Sequence, residues 1–324
     1  MPDYYRLLHG GLLSRMARFP NRHLPGNLSS SAIGAIGTVS ILSFPSRLNL
    51  LDCPKLRDYS MATALITGAS SGIGAAFAQA LAARGVSVIL TARSTEKLQP
   101  LAQSLTTQFG IQAIALPLDL SEPGAADQLA AQVKALGQPI DWLINNAGFG
   151  DFGEFATRDL AKQRAMLNLN VVALTELTHH VLQPMLDRGQ GQIINVASTA
   201  AFQPIPYLSL YAATKAFVLS FSEGLWVECQ GRGVRVMALC PGPTATNFAA
   251  VAEFPGSLKM PNDIATPEAV VQEALQAITQ GKPNCVTGGL ANQILVNAGR
   301  FMPRSSLIQG IGKLFRSAST GSEA

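Results

Sequence analysis

Thr67-Gly68-Ala69-Ser70-Ser71-Gly72-Ile73-Gly74 follows directly on the apolar run Ala64-Leu65-Ile66 and leads into helical spacing over 72–84. A short apolar run, a glycine turn and a helix, in that order, open a strand–helix crossover unit. Glycine has no Cβ, so the chain can turn sharply there and let a ligand approach the backbone. The first amides of the following helix have no partner within it and carry the positive end of the helix dipole, an arrangement that suits a pyrophosphate. The spacing is G-x-x-x-G-x-G rather than the G-x-G-x-x-G dinucleotide fingerprint. On this reading Gly68, Ser70, Ser71, Gly72, Ile73 and Gly74 cradle the phosphates of a dinucleotide.

Outward from this turn the same rhythm repeats. Ala64–Thr67, Val86–Ala92, Ala113–Leu118, Trp142–Asn145, Gln192–Val196, Val234–Leu239 and Cys285–Thr287 read as strands. They are continuous apolar runs, as expected of strands covered on both faces. Helical patterns lie between them at roughly 72–84, 122–136, 158–188, 208–230 and 267–280. Strands that alternate with helices predict an α/β fold with a doubly wound parallel sheet in a single domain. Such sheets bind ligands beyond the carboxyl ends of their strands, near the point where strand order reverses.

The composition agrees. Apolar residues make up 48% of the 324 residues and charged ones 14%, enough for one large core. The formal charge of +4 comes from the first sixty residues, where seven Lys/Arg stand against three Asp/Glu, while 61–324 hold seventeen of each. A folded part without net basic charge argues against nucleic-acid binding. Cys53, Cys229, Cys240 and Cys285 are far apart and form no C-x-x-C, so no metal site is expected and the thiols read as free and buried. No apolar run reaches the ~20 residues that span a bilayer, and a soluble cytoplasmic protein fits best. Residues 1–60 have no sustained period and scatter Arg6, Arg15, Arg18 and Arg22 among Ser, Gly, Pro and Leu. They read as a disordered extension, either an organellar targeting peptide or an over-extended start ahead of Met61.

The second strand ends in Thr91-Ala92-Arg93. An acid at this place binds the ribose 2′-hydroxyl of NAD, whereas an Arg accommodates the 2′-phosphate of NADP. Ala92 followed by Arg93 therefore predicts NADP(H), with Ser70 and Arg93 on the phosphate. The fifth strand ends in Ala197-Ser198, and Tyr211 and Lys215 follow at helical i, i+4 spacing, so that they share one face. An ammonium beside the phenol, together with a cationic nicotinamide ring, favours the phenolate and makes Tyr211 a candidate acid/base. Ser198 can hydrogen-bond the same reacting oxygen.

These residues resemble the short-chain dehydrogenase/reductase family over nearly all of 62–290. Thr67–Gly74 resembles its TGxxxGxG turn, Asn145-Asn146-Ala147-Gly148 its NNAG segment, and Ser198, Tyr211 and Lys215 its serine and YxxxK. The resemblance implies a Rossmann-like catalytic domain over 61–290 that binds NADP(H) and interconverts a carbonyl and an alcohol, with Tyr211 as general acid/base. It further implies that Asn146, Ala147 and Gly148 line the cofactor site, that Asp119 contacts the adenine, and that Pro241, Gly242, Thr244 and Thr246 meet the nicotinamide and pyrophosphate. Lys215 would hydrogen-bond the nicotinamide ribose beside Tyr211. Asn170 stands where a fourth catalytic residue is expected, holding a relay water, with Asn168 as the neighbouring alternative. A homodimer or homotetramer through 158–188 and 208–230 is implied by the family.

Around the reacting carbonyl the sequence places Phe149, Phe152, Ala200, Phe202, Ile205, Tyr207 and the stretch Phe248–Ile264, a lining suited to a hydrophobic substrate. The tail 291–324 mixes apolar residues with Arg300, Arg304, Lys313 and Arg316. Gly299, Pro303, Gly310 and Gly312 are expected to interrupt any long helix there. The tail then reads as a cover for the substrate site or a subunit contact rather than a membrane-surface helix. A rival to the enzyme is an NADPH-binding sensor or partner protein without turnover, which would have no need of an acid/base group.

Overall fold

The computed structural model describes residues 62–255, 264–299, 301 and 303–320. The extension 1–60 with Cys53, the 256–263 part of the stretch after Phe248, Arg300 and the side chain of Arg316 lie outside the described residues. Seven strands form one parallel sheet: β1 Thr63–Thr67, β2 Ser87–Ala92, β3 Ala113–Pro117, β4 Trp142–Asn145, β5 Gly191–Val196, β6 Val234–Cys240 and β7 Asn284–Val286. Their order is β3-β2-β1-β4-β5-β6-β7, so the winding reverses between β1 and β4. Each expected strand occurs within a residue of its expected bounds.

The continuous apolar runs have the reason given above. Successive side chains on a strand point to opposite faces, and each face here carries its own core. Ile66, Leu90, Ile144, Ile194 and Met237 pack on one side against α1 (Gly72–Ala82), α2 (Thr95–Phe109) and α8 (Pro267–Thr279). Their neighbours Leu65, Ile89, Leu143, Ile193 and Val236 pack on the other, against α3 (Ala125–Ala135), α5 (Leu174–Arg188) and α6 (Ser209–Glu228). Each such fully buried aliphatic side chain contributes about 1.5–3 kcal/mol. The free thiols Cys229 and Cys240 are buried, and Cys285 is half-buried.

Three helical expectations need correction. α2 was not expected. Its sequence TEKLQPLAQSLTTQF carries Pro100 inside and buries only Leu98, Ala102 and Leu105, so its apolar stripe is thin. The helix expected over 158–188 runs unbroken from Leu160 to Arg188, but it contains an unexpected π-helical turn, Asn168–Ala173, between α4 (Leu160–Leu167) and α5. In the tail, α9 (Gly289–Ala298) ends at Gly299 as expected, but α10 (Arg304–Thr320) runs through Gly310 and Gly312 without a break. A glycine costs a helix only about 1 kcal/mol, which packing can offset: Gly312 lies against Pro206 and Phe315 against an aromatic group. No helix among the described residues is long and apolar enough to cross a membrane.

Candidate active site

The crevice opens where the winding reverses, and it is tied there by side chains at the ends of β1 and β4. Thr67 Oγ1 accepts from the amides of Asn146 at 3.0 Å and Ala147 at 2.9 Å. Asn146 Nδ2 donates to Thr67 O at 2.9 Å and Gly68 O at 3.1 Å. Asn145 extends the tie sideways, through Asn195 at 2.9 Å and Thr178 at 3.0 Å. Gly74 sits so close to this knot that an added Cβ would stand 2.3 Å from Gly68 O and 2.6 Å from Asn146 Nδ2. The backbone of α1 thus begins directly on the end of β1.

The first turn of α1 contains no acid, and Ser71 at its start makes no side-chain cap. Its amides and dipole are therefore left to an anion, as a pyrophosphate requires. Ser70 and Ile73 are half-buried beside it, and Ser71 is exposed. The loop after β6 reaches back to this turn: a Cβ on Gly72 would lie 2.9 Å from Thr246 Cγ2. Pro241 O accepts from Thr199 N at 2.9 Å, and Thr244 Oγ1 donates to Gly242 O at 2.9 Å. Beyond β2, the side chain of Arg93 is 70% exposed, and its nearest charge is Asp119 at 3.9 Å. The other oxygen of Asp119 accepts from Ser121 N at 2.9 Å. A cationic side chain in open solvent past β2, with Ala92 in the acid's place, fits a 2′-phosphate. The residues present fit a nicotinamide dinucleotide.

Ser198, Tyr211, Lys215 and Asn170 converge on the opposite wall. The Ser198 hydroxyl accepts from Ala200 N at 3.1 Å, which leaves its own proton free to face the Tyr211 phenol. Lys215 Nζ donates to Val196 O at 2.7 Å and lies 5.8 Å from the centre of the Tyr211 ring. Asn170 is held by Phe149, donating to its carbonyl at 3.0 Å and accepting from its amide at 3.2 Å, and donates to Thr214 Oγ1 at 3.1 Å. It is the π-helical turn that aims Asn170 inward; such turns recur at functional sites. A carbon placed on Gly148 would stand 3.0 Å from Asn170 Oδ1 and 3.4 Å from Lys215 Nζ, so both atoms face one small space. Asn168 points elsewhere and donates to Ser121 O at 3.1 Å.

The electrostatics differ from the sequence expectation in one respect. Burial pushes the Tyr211 phenol up to about 12, against the weaker opposing effect of Ser198. Burial likewise pushes the Lys215 ammonium down to about 8, opposed by Cys240. Within the protein alone, burial outweighs the effect of Ser198 and keeps the phenol protonated at neutral pH.

Around Tyr211, Phe152, Met166, Ala200, Ile205, Leu208 and Ala212 form an apolar group, with Phe149, Tyr207, Phe248, Phe254 and Phe315 packed against it. The Phe248 ring is 5.1 Å from that of Tyr211. Phe202 does not join this group; it packs with Leu174, Ala197 and Val218. Met166 and Phe315 were missed. Met166 comes from a segment read only as helix and Phe315 from the tail read as a cover for the substrate site or a subunit contact, and nothing in their spacing singles them out.

The family model for short chain dehydrogenases matches residues 62–253. The ketoacyl reductase HetN of Nostoc sp. is 34% identical over 67% of this chain and 75% of its own length. A short-chain dehydrogenase from Sphingobium yanoikuyae solved in complex with NADPH is 32% identical, with a TM-score of 0.67 over 76% of this chain and 95% of that one. A 7beta-hydroxysteroid dehydrogenase structure is 30% identical, with a TM-score of 0.71 over 79% of this chain and 99% of that one. A parallel sheet that reverses at its glycine turn, the match across most of its described residues and these likenesses agree: the chain belongs to the short-chain dehydrogenase family of oxidoreductases.

Proposed function

We propose that this protein is an NADPH-dependent reductase that converts a bulky, apolar ketone or 3-oxoacyl compound to the alcohol, with Tyr211 as the proton donor. One observation carries the reading: the Tyr211 phenol is buried among aromatic side chains beside Ser198, and burial pushes it up to about 12. At neutral pH it holds its proton, the form needed to protonate a nascent alkoxide.

Bound NADPH supplies the hydride to the carbonyl carbon. Ser198 donates to the carbonyl oxygen and orients it as charge develops. Tyr211 gives its proton to the same oxygen, completing the alcohol. Lys215, pushed down only to about 8, is still largely charged at neutral pH, and its cation stabilises the phenolate left behind. A water between Asn170 Oδ1 and Lys215 Nζ returns the proton. Gly68, Ser70, Ser71, Gly72, Ile73 and Gly74 hold the pyrophosphate, Asp119 the adenine, and Arg93 the 2′-phosphate. Asn146, Ala147, Gly148, Pro241, Gly242, Thr244 and Thr246 line the nicotinamide end.

The NADPH complex among the neighbours supports the cofactor, and the ketoacyl and hydroxysteroid relatives support an apolar substrate. Exposed Leu160 and Leu167 on α4, and Phe217 and Val227 on α6, support assembly as a homodimer or homotetramer through those helices.

The test is consumption of NADPH and of NADH, followed with steroid ketones, aryl ketones and 3-oxoacyl thioesters. NADPH loss matched by alcohol formation is expected. Tight NADPH binding with no consumption across the panel would favour the non-catalytic sensor.

A further inference from the structure

Four charged side chains outside the Tyr211 group form a closed set. Asp151 lies in the loop after β4, and its side chain is fully buried. Its carboxylate accepts from Arg158 Nε at 2.9 Å, from Arg158 Nη2, from Lys162 Nζ at 2.7 Å and from Gln163 Nε2. Both cations reach a second carboxylate: Arg158 Nη2 donates to Glu253 at 2.7 Å, and Lys162 Nζ to its other oxygen at 2.5 Å. Two carboxylates and two cations cancel, which is the condition for burying Asp151. Burial pushes Asp151 up, yet the Arg158 and Lys162 hydrogen bonds outweigh it and hold the carboxyl below its usual range.

Glu253 lies two residues beyond the end of the short turn α7 (Phe248–Val251). Its φ of 58° is left-handed, a conformation that a residue with a side chain keeps only when its surroundings hold it there. The turn is internally tied, by Ala252 N to Phe248 O at 2.8 Å and Phe254 N to Ala249 O at 3.0 Å. Phe152 N donates to Ala252 O at 2.8 Å and joins the turn to the Asp151 loop. Gly150 completes the fit, since a Cβ there would stand 2.8 Å from Phe248 Cζ. The other end of the turn places the Phe248 ring 5.1 Å from that of Tyr211.

We propose that Asp151, Arg158, Lys162 and Glu253 are positioning residues: an ionic clamp that fixes the Phe248–Glu253 turn and so seats Phe248 over the Tyr211 phenol, setting the fit for a bulky apolar ketone. The substrate arm of this claim rests on the reductase reading; the anchoring arm does not.

Glu253→Gln is the variant of choice, because Glu253 is 55% exposed at its side chain whereas Asp151→Asn would alter a fully buried carboxylate, strand two half-buried cations and risk misfolding. Its KM for a bulky apolar ketone should rise about fivefold, with kcat and the KM for NADPH within about twofold. Glu253→Asp should restore most of the difference, and a small ketone such as acetone should be insensitive. Without any substrate, amide exchange at Ala252 and Phe254 should quicken at least about fivefold in Glu253→Gln. A lower melting temperature with unchanged KM and unchanged exchange would reduce the cluster to a stabilising role and overturn the clamp. Unchanged exchange alone overturns the anchoring. If the wild type reduces no ketone, the reductase reading fails and the exchange experiment still decides the clamp.

Discussion

The crevice has two walls, and they are made of different material. The β1–β4 wall is mostly backbone: the glycine turn, the amides at the start of α1, and the Asn146 carboxamide bonded to Thr67 O and Gly68 O. The β5–β6 wall is mostly side chain, with Phe152, Met166, Phe248, Phe254 and Phe315 brought from four separate segments around Tyr211. A backbone wall accepts what every dinucleotide shares. A side-chain wall is shaped for one class of substrate and can be redrawn without touching the first.

That difference can be broken at single positions. On the proposed reading, the backbone wall chooses its cofactor through two side chains, Arg93 and Ser70. Arg93→Ala removes a charge-assisted contact of about 1.5–3 kcal/mol, so the KM for NADPH should rise roughly 10–100-fold with that for NADH nearly unchanged. Equal changes for both would place the 2′-phosphate elsewhere. On the other wall the effect should be smaller and differently distributed. Phe315→Ala removes a half-buried ring 6.5 Å from that of Phe152. The KM for a bulky ketone should rise by about fivefold, with the KM for NADPH constant in the same steady-state assay. A shift in the NADPH value would mean that the walls are coupled.

The same contrast explains what could be read from sequence. The β1–β4 wall is written in contiguous stretches, Thr67–Gly74 and Asn145–Gly148, whose chemistry follows from local spacing. Tyr211 and Lys215 were legible for the same reason, being one helical turn apart on α6. Phe315, Met166 and the Arg158–Glu253 pair were not, because their partners are distant in sequence and meet only through the sheet topology. Helix α2 escaped because its buried stripe is three residues wide and interrupted by Pro100. The protonation of Tyr211 also could not be read, since it turns on burial, which spacing does not report: Tyr211 is 8% exposed.

Single-turnover oxidation of NADPH by Tyr211→Phe, with the best ketone substrate, tests the central claim most directly. The phenyl ring preserves the packing against Phe248 and removes only the hydroxyl, and with it the proton to be donated. The hydride-transfer rate should fall by at least about 100-fold, with the dissociation constant for NADPH within twofold of wild type. A variant that binds NADPH normally and oxidises it at close to the wild-type rate would contradict the assignment of Tyr211 as the acid.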